Sequence, residues 1–171
     1  RGGVAGRGCS GAGRTARGVG RKARESPADP TTGMGLEARG RALEQWAIKV
    51  IQRTANCNDA LGYSMPEGRK RAVLTLAQRF DVAIIEDDVY GELAFSYPRP
   101  RTIHSWDIDG RVMRRSPLSH TQSPGPRLRW VALGRYPVRD RHMTHSRTFR
   151  TSTLPRIAIA ESPTSTPGYR W

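Results

Sequence analysis

Apolar and polar positions repeat with two different periods between residues 36 and 86, and these periods predict a strand–helix–strand unit. A helix is predicted over 36–46, a short strand over 47–51 and a second strand over 82–86. The sequence Ser-Met-Pro-Glu at 64–67 predicts a capping box that begins the helix between the strands. The apolar face of that helix is predicted from Val73, Leu74, Ala77 and Phe80. Two strands joined by a helix over roughly forty residues form the crossover unit of a parallel sheet.

The patterns beyond residue 91 are weaker. A weak strand is predicted over 111–113 and a better one over 128–133, and a helix is predicted to begin in 155–161. The sequence after residue 161 reads as an irregular tail, 162–171.

The N-terminal segment differs in composition from everything that follows it. Residues 1–26 are rich in glycine and arginine and contain almost no large apolar side chains. Burial would not offset the entropy lost on ordering such a segment, so we expect it to be disordered. An RNA-binding tail is an alternative, but the interleaved aromatic residues that stack on bases are missing. The predicted organisation is a disordered segment at 1–26, one α/β domain at 27–161 and the tail.

The formal net charge of +14 would ordinarily indicate a nucleic acid or another polyanion as partner. Residues 1–26 carry seven basic groups against one acid, and 111–150 carry ten against one, whereas 27–110 sum to −2. The segment with the clearest fold pattern is thus nearly neutral. Arginine supplies 26 of the 29 basic residues, although lysine also binds phosphate well. Mutational drift of a GC-rich coding sequence explains this bias better than selection for a polyanion.

Several other classes are disfavoured. Cys9 and Cys57 are too few for a disulfide framework or a zinc motif. His142 and His145 share a helical spacing without a third ligand, so no metal site is expected. The sequence has no apolar run of the roughly 18 residues that a membrane span requires, and a cytoplasmic protein is expected. With 171 residues and a start at Arg1, the chain is expected to be a fragment.

The run Ala83-Ile84-Ile85-Glu86-Asp87-Asp88-Val89-Tyr90-Gly91 carries the most chemical information. An apolar strand here delivers a carboxylate and a phenol to its carboxyl end, where sites form in parallel sheets. Taken alone, the three acids could equally be solvated groups at the end of a strand or ligands of a divalent cation.

This run, together with Ser116-Pro117-Leu118-Ser119-His120-Thr121 and Pro124-Gly125-Pro126-Arg127-Leu128-Arg129-Trp130, resembles the cofactor site of fold type I pyridoxal-phosphate enzymes. The resemblance is greatest to MocR-type regulators of the GntR family, which fuse a DNA-binding module to an aminotransferase-like domain. It implies a partial aminotransferase large domain of the α/β class, with flanking helices on a mostly parallel sheet. The strand near residue 128 would run antiparallel, and both edges of the block would be open.

The resemblance assigns roles to three residues. Asp87 would stabilise the protonated ring nitrogen of pyridoxal 5′-phosphate, and Tyr90 would hydrogen-bond the ring hydroxyl. Arg127 would bind the phosphate, as a guanidinium fork suits that dianion.

Three other positions depart from the family pattern. Asp59 replaces an asparagine that supports the ring hydroxyl, and Pro117 replaces a serine that binds the phosphate. Pro117 offers neither a hydroxyl nor a backbone N–H. His120 stands where the family has its Schiff-base lysine, and imidazole cannot form a stable imine. Lys49 and Lys70 are expected on the surfaces of the strand and helix, and neither matches the motif.

Three hypotheses remain open from the sequence. The chain is a degenerate cofactor-binding module with weak or lost affinity for pyridoxal phosphate, a fragment of an aminotransferase, or a decayed reading frame without activity. A basic nucleic-acid-binding protein is a weaker alternative. The resemblance implies an ancestral homodimer that contacts DNA only through a module absent from this chain, and no membrane partner.

Overall fold

A six-stranded sheet organises the part of the chain that the computed structural model describes, which is residues 3–5, 20, 22–24, 35–58, 62–117 and 129–136. The strands are β1 (Gly3–Ala5), β2 (Lys22–Arg24), β3 (Ile48–Arg53), β4 (Ala83–Asp87), β5 (Val112–Pro117) and β6 (Arg129–Ala132). The helices are α1 (Leu36–Gln45) and α2 (Glu67–Arg79), and short 3₁₀ turns lie at Gly91–Leu93 and Ile103–Trp106. The strand order is β2-β1-β3-β4-β5-β6, and only the β5–β6 pair is antiparallel.

The predicted crossover unit is confirmed: β3 and β4 are parallel neighbours joined by α2. Their register pairs Val50 with Ala83 and continues to the pair of Arg53 with Glu86. The next pair, β4 and β5, continues to Asp87 opposite Arg115. Since parallel strands end at the same edge of a sheet, the acids after β4 lie beside the arginines of β5. The antiparallel direction expected for the strand near residue 128 is also confirmed.

One apolar cluster joins α1, α2 and the second 3₁₀ turn to the sheet. Its fully buried members are Ile51, Ala55, Val73, Ala77, Ile84, Ile103 and Val112. Burial of each large aliphatic side chain contributes about 1.5–3 kcal/mol. Strand β4 and the start of the second 3₁₀ turn are therefore anchored to the packed apolar layer by Ile84 and Ile103.

The start of α2 differs from the predicted capping box. The helix begins at Glu67 after Pro66, and no side chain caps it. Ser64 instead accepts a hydrogen bond from the backbone N–H of Cys57 at 2.8 Å. Ser64, the predicted cap, thus stabilises the loop between β3 and α2 instead.

Two short pieces of 1–26 belong to the sheet, which differs from the expectation of a wholly disordered segment. Strand β1 pairs with both β2 and β3, so it covers the edge of β3 that was expected to be open. Backbone hydrogen bonds to an existing edge require no large apolar side chain, which explains why composition missed them. The helix predicted in 155–161, the pair His142 and His145, and the tail 162–171 lie outside the described residues.

The described core also contains a charge without a partner. Arg39 on α1 is fully buried, and none of its three guanidinium nitrogens has a hydrogen-bond partner. Burial lowers the pKa of Arg39 to about 9, with repulsion from the buried Arg53 as the second cause. Arg39 therefore remains charged at neutral pH in an apolar layer, which is costly.

Candidate cofactor site

Asp87 ends β4 and forms an ion pair with Arg115 on β5. The two residues are direct partners in the parallel register. Asp87 is only 6% exposed, so its carboxylate is largely removed from water. The Asp87 carboxylate is thus neutralised from within the chain.

Asp88 directly follows β4 and is held by a separate set of donors. Its Oδ2 accepts hydrogen bonds from Arg99 at 2.6 Å and from two nitrogens of Arg114 at 2.6 and 3.1 Å. Its Oδ1 accepts one from Asn56 Nδ2 at 3.3 Å. The Asp88 side chain has no exposed area, and a buried carboxylate is stable only with such partners.

Lys70 extends this buried network. The sequence predicts it on the helix surface, and that expectation is wrong. It is 1% exposed, and its Nζ donates to Asn56 Oδ1 at 2.6 Å and to the Arg101 carbonyl at 2.7 Å. Burial lowers the pKa of Lys70, and the nearby Glu86 and Asp88 oppose that shift. A lysine is tolerated here because Asn56 and the backbone carbonyl of Arg101 supply acceptors, which periodicity cannot reveal.

Glu86 anchors the second 3₁₀ turn. It is 1% exposed, and its two carboxylate oxygens accept the backbone N–H groups of Ile103 at 2.8 Å and His104 at 3.0 Å. Burial raises the pKa of Glu86, although these two hydrogen bonds act in the opposite direction. The alternative of solvated acids at the end of β4 is therefore wrong: Glu86, Asp87 and Asp88 are all buried.

Tyr90 follows the acids and immediately precedes the first 3₁₀ turn. It is half-buried, and its carbonyl accepts the Leu93 N–H at 2.9 Å. The next residue must be glycine for a steric reason. A Cβ at Gly91 would collide with the Arg99 guanidinium and the Asp88 carboxylate. The Arg99–Asp88 ion pair thus passes over the backbone that leads away from Tyr90.

The structure describes the side chains of only two of the six residues predicted for the site. Asp87 and Tyr90 both lie at the carboxyl end of β4. Pro117 ends β5 opposite Arg129, but its side chain is outside the described set. Asp59, His120 and Arg127 also lie outside the described residues, so their roles remain predictions.

Sequence reasoning missed Arg115, although a signal was present. Strands inside a parallel sheet usually read as continuous apolar runs. Arg114 and Arg115 interrupt such a run in β5, and each requires a buried acid. Asp88 and Asp87 on the neighbouring strand meet that requirement.

The described residues contain no group of three or more histidine, cysteine or acidic side chains arranged to hold a metal ion. Across those same parts of the chain, the helices are too short or too polar for one to cross a membrane.

The chain is similar in sequence and in fold to several known proteins. No protein-family model matches the chain. The uncharacterised HTH-type transcriptional regulator YjiR of Escherichia coli is 59% identical over 130 residues, which cover 76% of this chain and 28% of that protein. Aromatic-amino-acid aminotransferase 1 of Thermococcus litoralis is 33% identical over 99 residues, covering 57% and 24%. The crystal structure of Pyrococcus horikoshii kynurenine aminotransferase, in complex with PMP, superposes with a TM-score of 0.67 and 27% identity over 75% of this chain and 33% of that one.

The fold is that of the fold type I pyridoxal-phosphate aminotransferases, of which this chain carries a part. By sequence, the chain is a partial relative of the HTH-type regulators of the MocR kind. It spans 28% and 30% of the length of the first two regulators it matches.

The described residues do not fit pyridoxal phosphate as they stand. The cofactor's ring nitrogen needs a carboxylate that is free to stabilise its positive charge. Asp87, the carboxylate that the resemblance assigns to it, is paired with Arg115 instead. A ligand that presents a cation at this point must first displace the guanidinium.

Proposed function

We propose that this chain is a degenerate relative of the cofactor-binding domain of MocR-type regulators, with weak affinity for pyridoxal phosphate and no transaminase activity. Relatedness to regulators and aminotransferases supports the origin of the domain. His120 supports the loss of catalysis, since transaldimination requires a primary amine at that position. DNA contact would be made through the DNA-binding module of such regulators, and the domain would descend from a homodimer.

The ion pair between Asp87 and Arg115 is the observation that carries the proposal. A cofactor site in use would keep its buried carboxylate available for the ligand. Here, the Asp87 side chain is 8% exposed, and its carboxylate is paired with an arginine on a neighbouring strand of the same chain. This arrangement stabilises the empty domain and weakens the site.

A titration of the full chain with pyridoxamine 5′-phosphate tests the proposal. This form of the cofactor is suitable because it carries an amine and cannot form imines with lysines. We expect saturable binding in about the millimolar range, which corresponds to roughly −4 kcal/mol, measured by calorimetry at two salt concentrations. Asp87→Ala should weaken it, whereas Glu44→Ala, which removes an exposed acid from α1, should not.

The electrostatic alternative gives a different result. Binding that disappears with added salt and is the same in the Asp87→Ala variant would show only attraction to a basic chain. No binding at all would support a decayed reading frame.

Loss of catalysis has its own test. With pyridoxal phosphate, we expect no internal-aldimine absorbance band that borohydride removes. His120→Lys restores the amine and is expected to introduce such a band if the site still holds the cofactor. A borohydride-sensitive band in the unaltered protein would contradict the proposal and favour an active aminotransferase fragment.

A further inference from the structure

Arg115 reaches Asp87 directly across the sheet. The two residues are paired in the register of β4 and β5, and the side chains are 32% and 8% exposed for Arg115 and Asp87. The Nε of Arg115 is buried without a hydrogen-bond partner. The guanidinium is therefore held mainly by the Asp87 carboxylate.

Its neighbour shows that this pairing is selective. Arg114 projects to the other face of β5 and binds Asp88 at 2.6 Å. Each arginine thus has its own acid, and the pairing follows from the alternation of side chains along adjacent strands. The register of β4 and β5 places Arg115 opposite Asp87.

A guanidinium competes strongly with a ligand cation for the same carboxylate. It is covalently tethered, so it acts at an effective concentration that a free ligand at low concentration does not match. The partial burial of the pair strengthens the attraction compared with water.

We propose that Arg115 occupies the carboxylate that would otherwise recognise the cofactor's ring nitrogen, and that it thereby sets the affinity of this site for a cationic ring. This inference rests on the proposed function of the domain. It assigns a role in ligand specificity to a residue of β5 that lies outside the family's cofactor motif.

The test compares Arg115→Leu with the unaltered full chain in a titration with pyridoxamine 5′-phosphate. We expect the variant to bind at least about tenfold more tightly, a change that corresponds to about 1.4 kcal/mol. Arg41→Leu removes the same charge from an exposed position on α1 and should leave the dissociation constant unchanged. Arg115→Met replaces the leucine variant if circular dichroism shows that the latter does not fold.

A second ligand separates ring-nitrogen recognition from a general change in the site. An analogue whose ring nitrogen is replaced by CH presents no cation to Asp87. Its binding should not improve in Arg115→Leu, and Asp87→Asn added to that variant should abolish the gain for pyridoxamine phosphate.

The outcomes distinguish this inference from the function on which it rests. Equal binding of pyridoxamine phosphate by the folded variant and the unaltered chain overturns the role of Arg115 and leaves the proposed function standing. An equal gain for both ligands also overturns it. Failure of both proteins to bind at millimolar concentration overturns the inference and the proposed function together.

Discussion

Buried charges in this chain are satisfied very unevenly. Asp88 accepts hydrogen bonds from Asn56, Arg99 and Arg114, whereas Arg39 has none for its guanidinium. The first arrangement is stable because the donors replace the water that burial removes. The second leaves a desolvated cation within the apolar layer, so the two sites contribute to folding with opposite signs.

Arg39→Leu should therefore stabilise the protein. Removing an unsatisfied buried charge and restoring an apolar side chain is expected to raise the free energy of unfolding by about 1–3 kcal/mol, measured by urea denaturation at pH 7. Arg41→Leu on the exposed side of α1 is the matched control. A loss of stability in Arg39→Leu alone would show that Arg39 has a partner after all.

At the scale of elements, the carboxyl end of β4 organises everything beside it. Glu86 holds the second 3₁₀ turn by two backbone N–H groups, and the backbone N–H of Asp88 donates to the Arg115 carbonyl at 2.9 Å. One strand end thus positions a turn on one side and a neighbouring strand on the other. Glu86 and Asp88 each accept more than one hydrogen bond there, which the two oxygens of a carboxylate allow.

Glu86 should make this strand end sensitive to pH. Its pKa is raised above the usual value of 4.5, mainly by burial, so between pH 4.5 and the folded pKa the folded protein holds a proton that the unfolded chain has released. The stability that Glu86 contributes is therefore complete below pH 4.5 and falls as pH rises through its folded pKa. We expect the unfolding free energy of the unaltered protein, relative to Glu86→Gln, to decrease with rising pH above 4.5.

The control for that experiment is Glu44→Gln, an exposed acid on α1. Its difference from the unaltered protein should be flat over the same pH range. A difference for Glu86→Gln that is flat, or that grows with pH, would mean that hydrogen bonding by the carboxylate outweighs its burial.

At the scale of the whole molecule, the sheet includes strands from a segment whose composition predicts disorder. Strand β1 lies between β2 and β3 and pairs with both. It covers the edge of β3, and exposed strand edges are sites of aggregation. The glycine- and arginine-rich start of the chain thus contributes to the fold through its backbone.

Val4→Pro should expose that edge. Proline removes a backbone N–H and is not tolerated inside a sheet, so we expect lower thermal stability and more aggregation by light scattering. Ala23→Pro in the outer strand β2 is the matched control and should have a smaller effect, because β2 pairs only with β1 within the described sheet. Equal behaviour of the two variants would show that β1 does not protect β3.

Much of this architecture could be predicted before any coordinates. The bounds of the helix over 36–46 and of the strands over 82–86 and 128–133 differ by at most one residue in the structure. These elements have clear apolar periods or lie in an apolar run, and their burial in one layer follows from that pattern. Short strands such as β1 and β2 have no such period, since their pairing uses only backbone groups.

The sequence by itself determined the elements of the central unit, the position of Asp87 and Tyr90 after an apolar strand, and the family resemblance, because each depends on residues close together along the chain. Only the tertiary structure decided what those residues contact. The pairing of Asp87 with Arg115, and of Lys70 with Asn56, joins residues from different elements. Strand order and register determine such contacts, and so they decide whether a carboxylate faces a ligand or a guanidinium of its own chain.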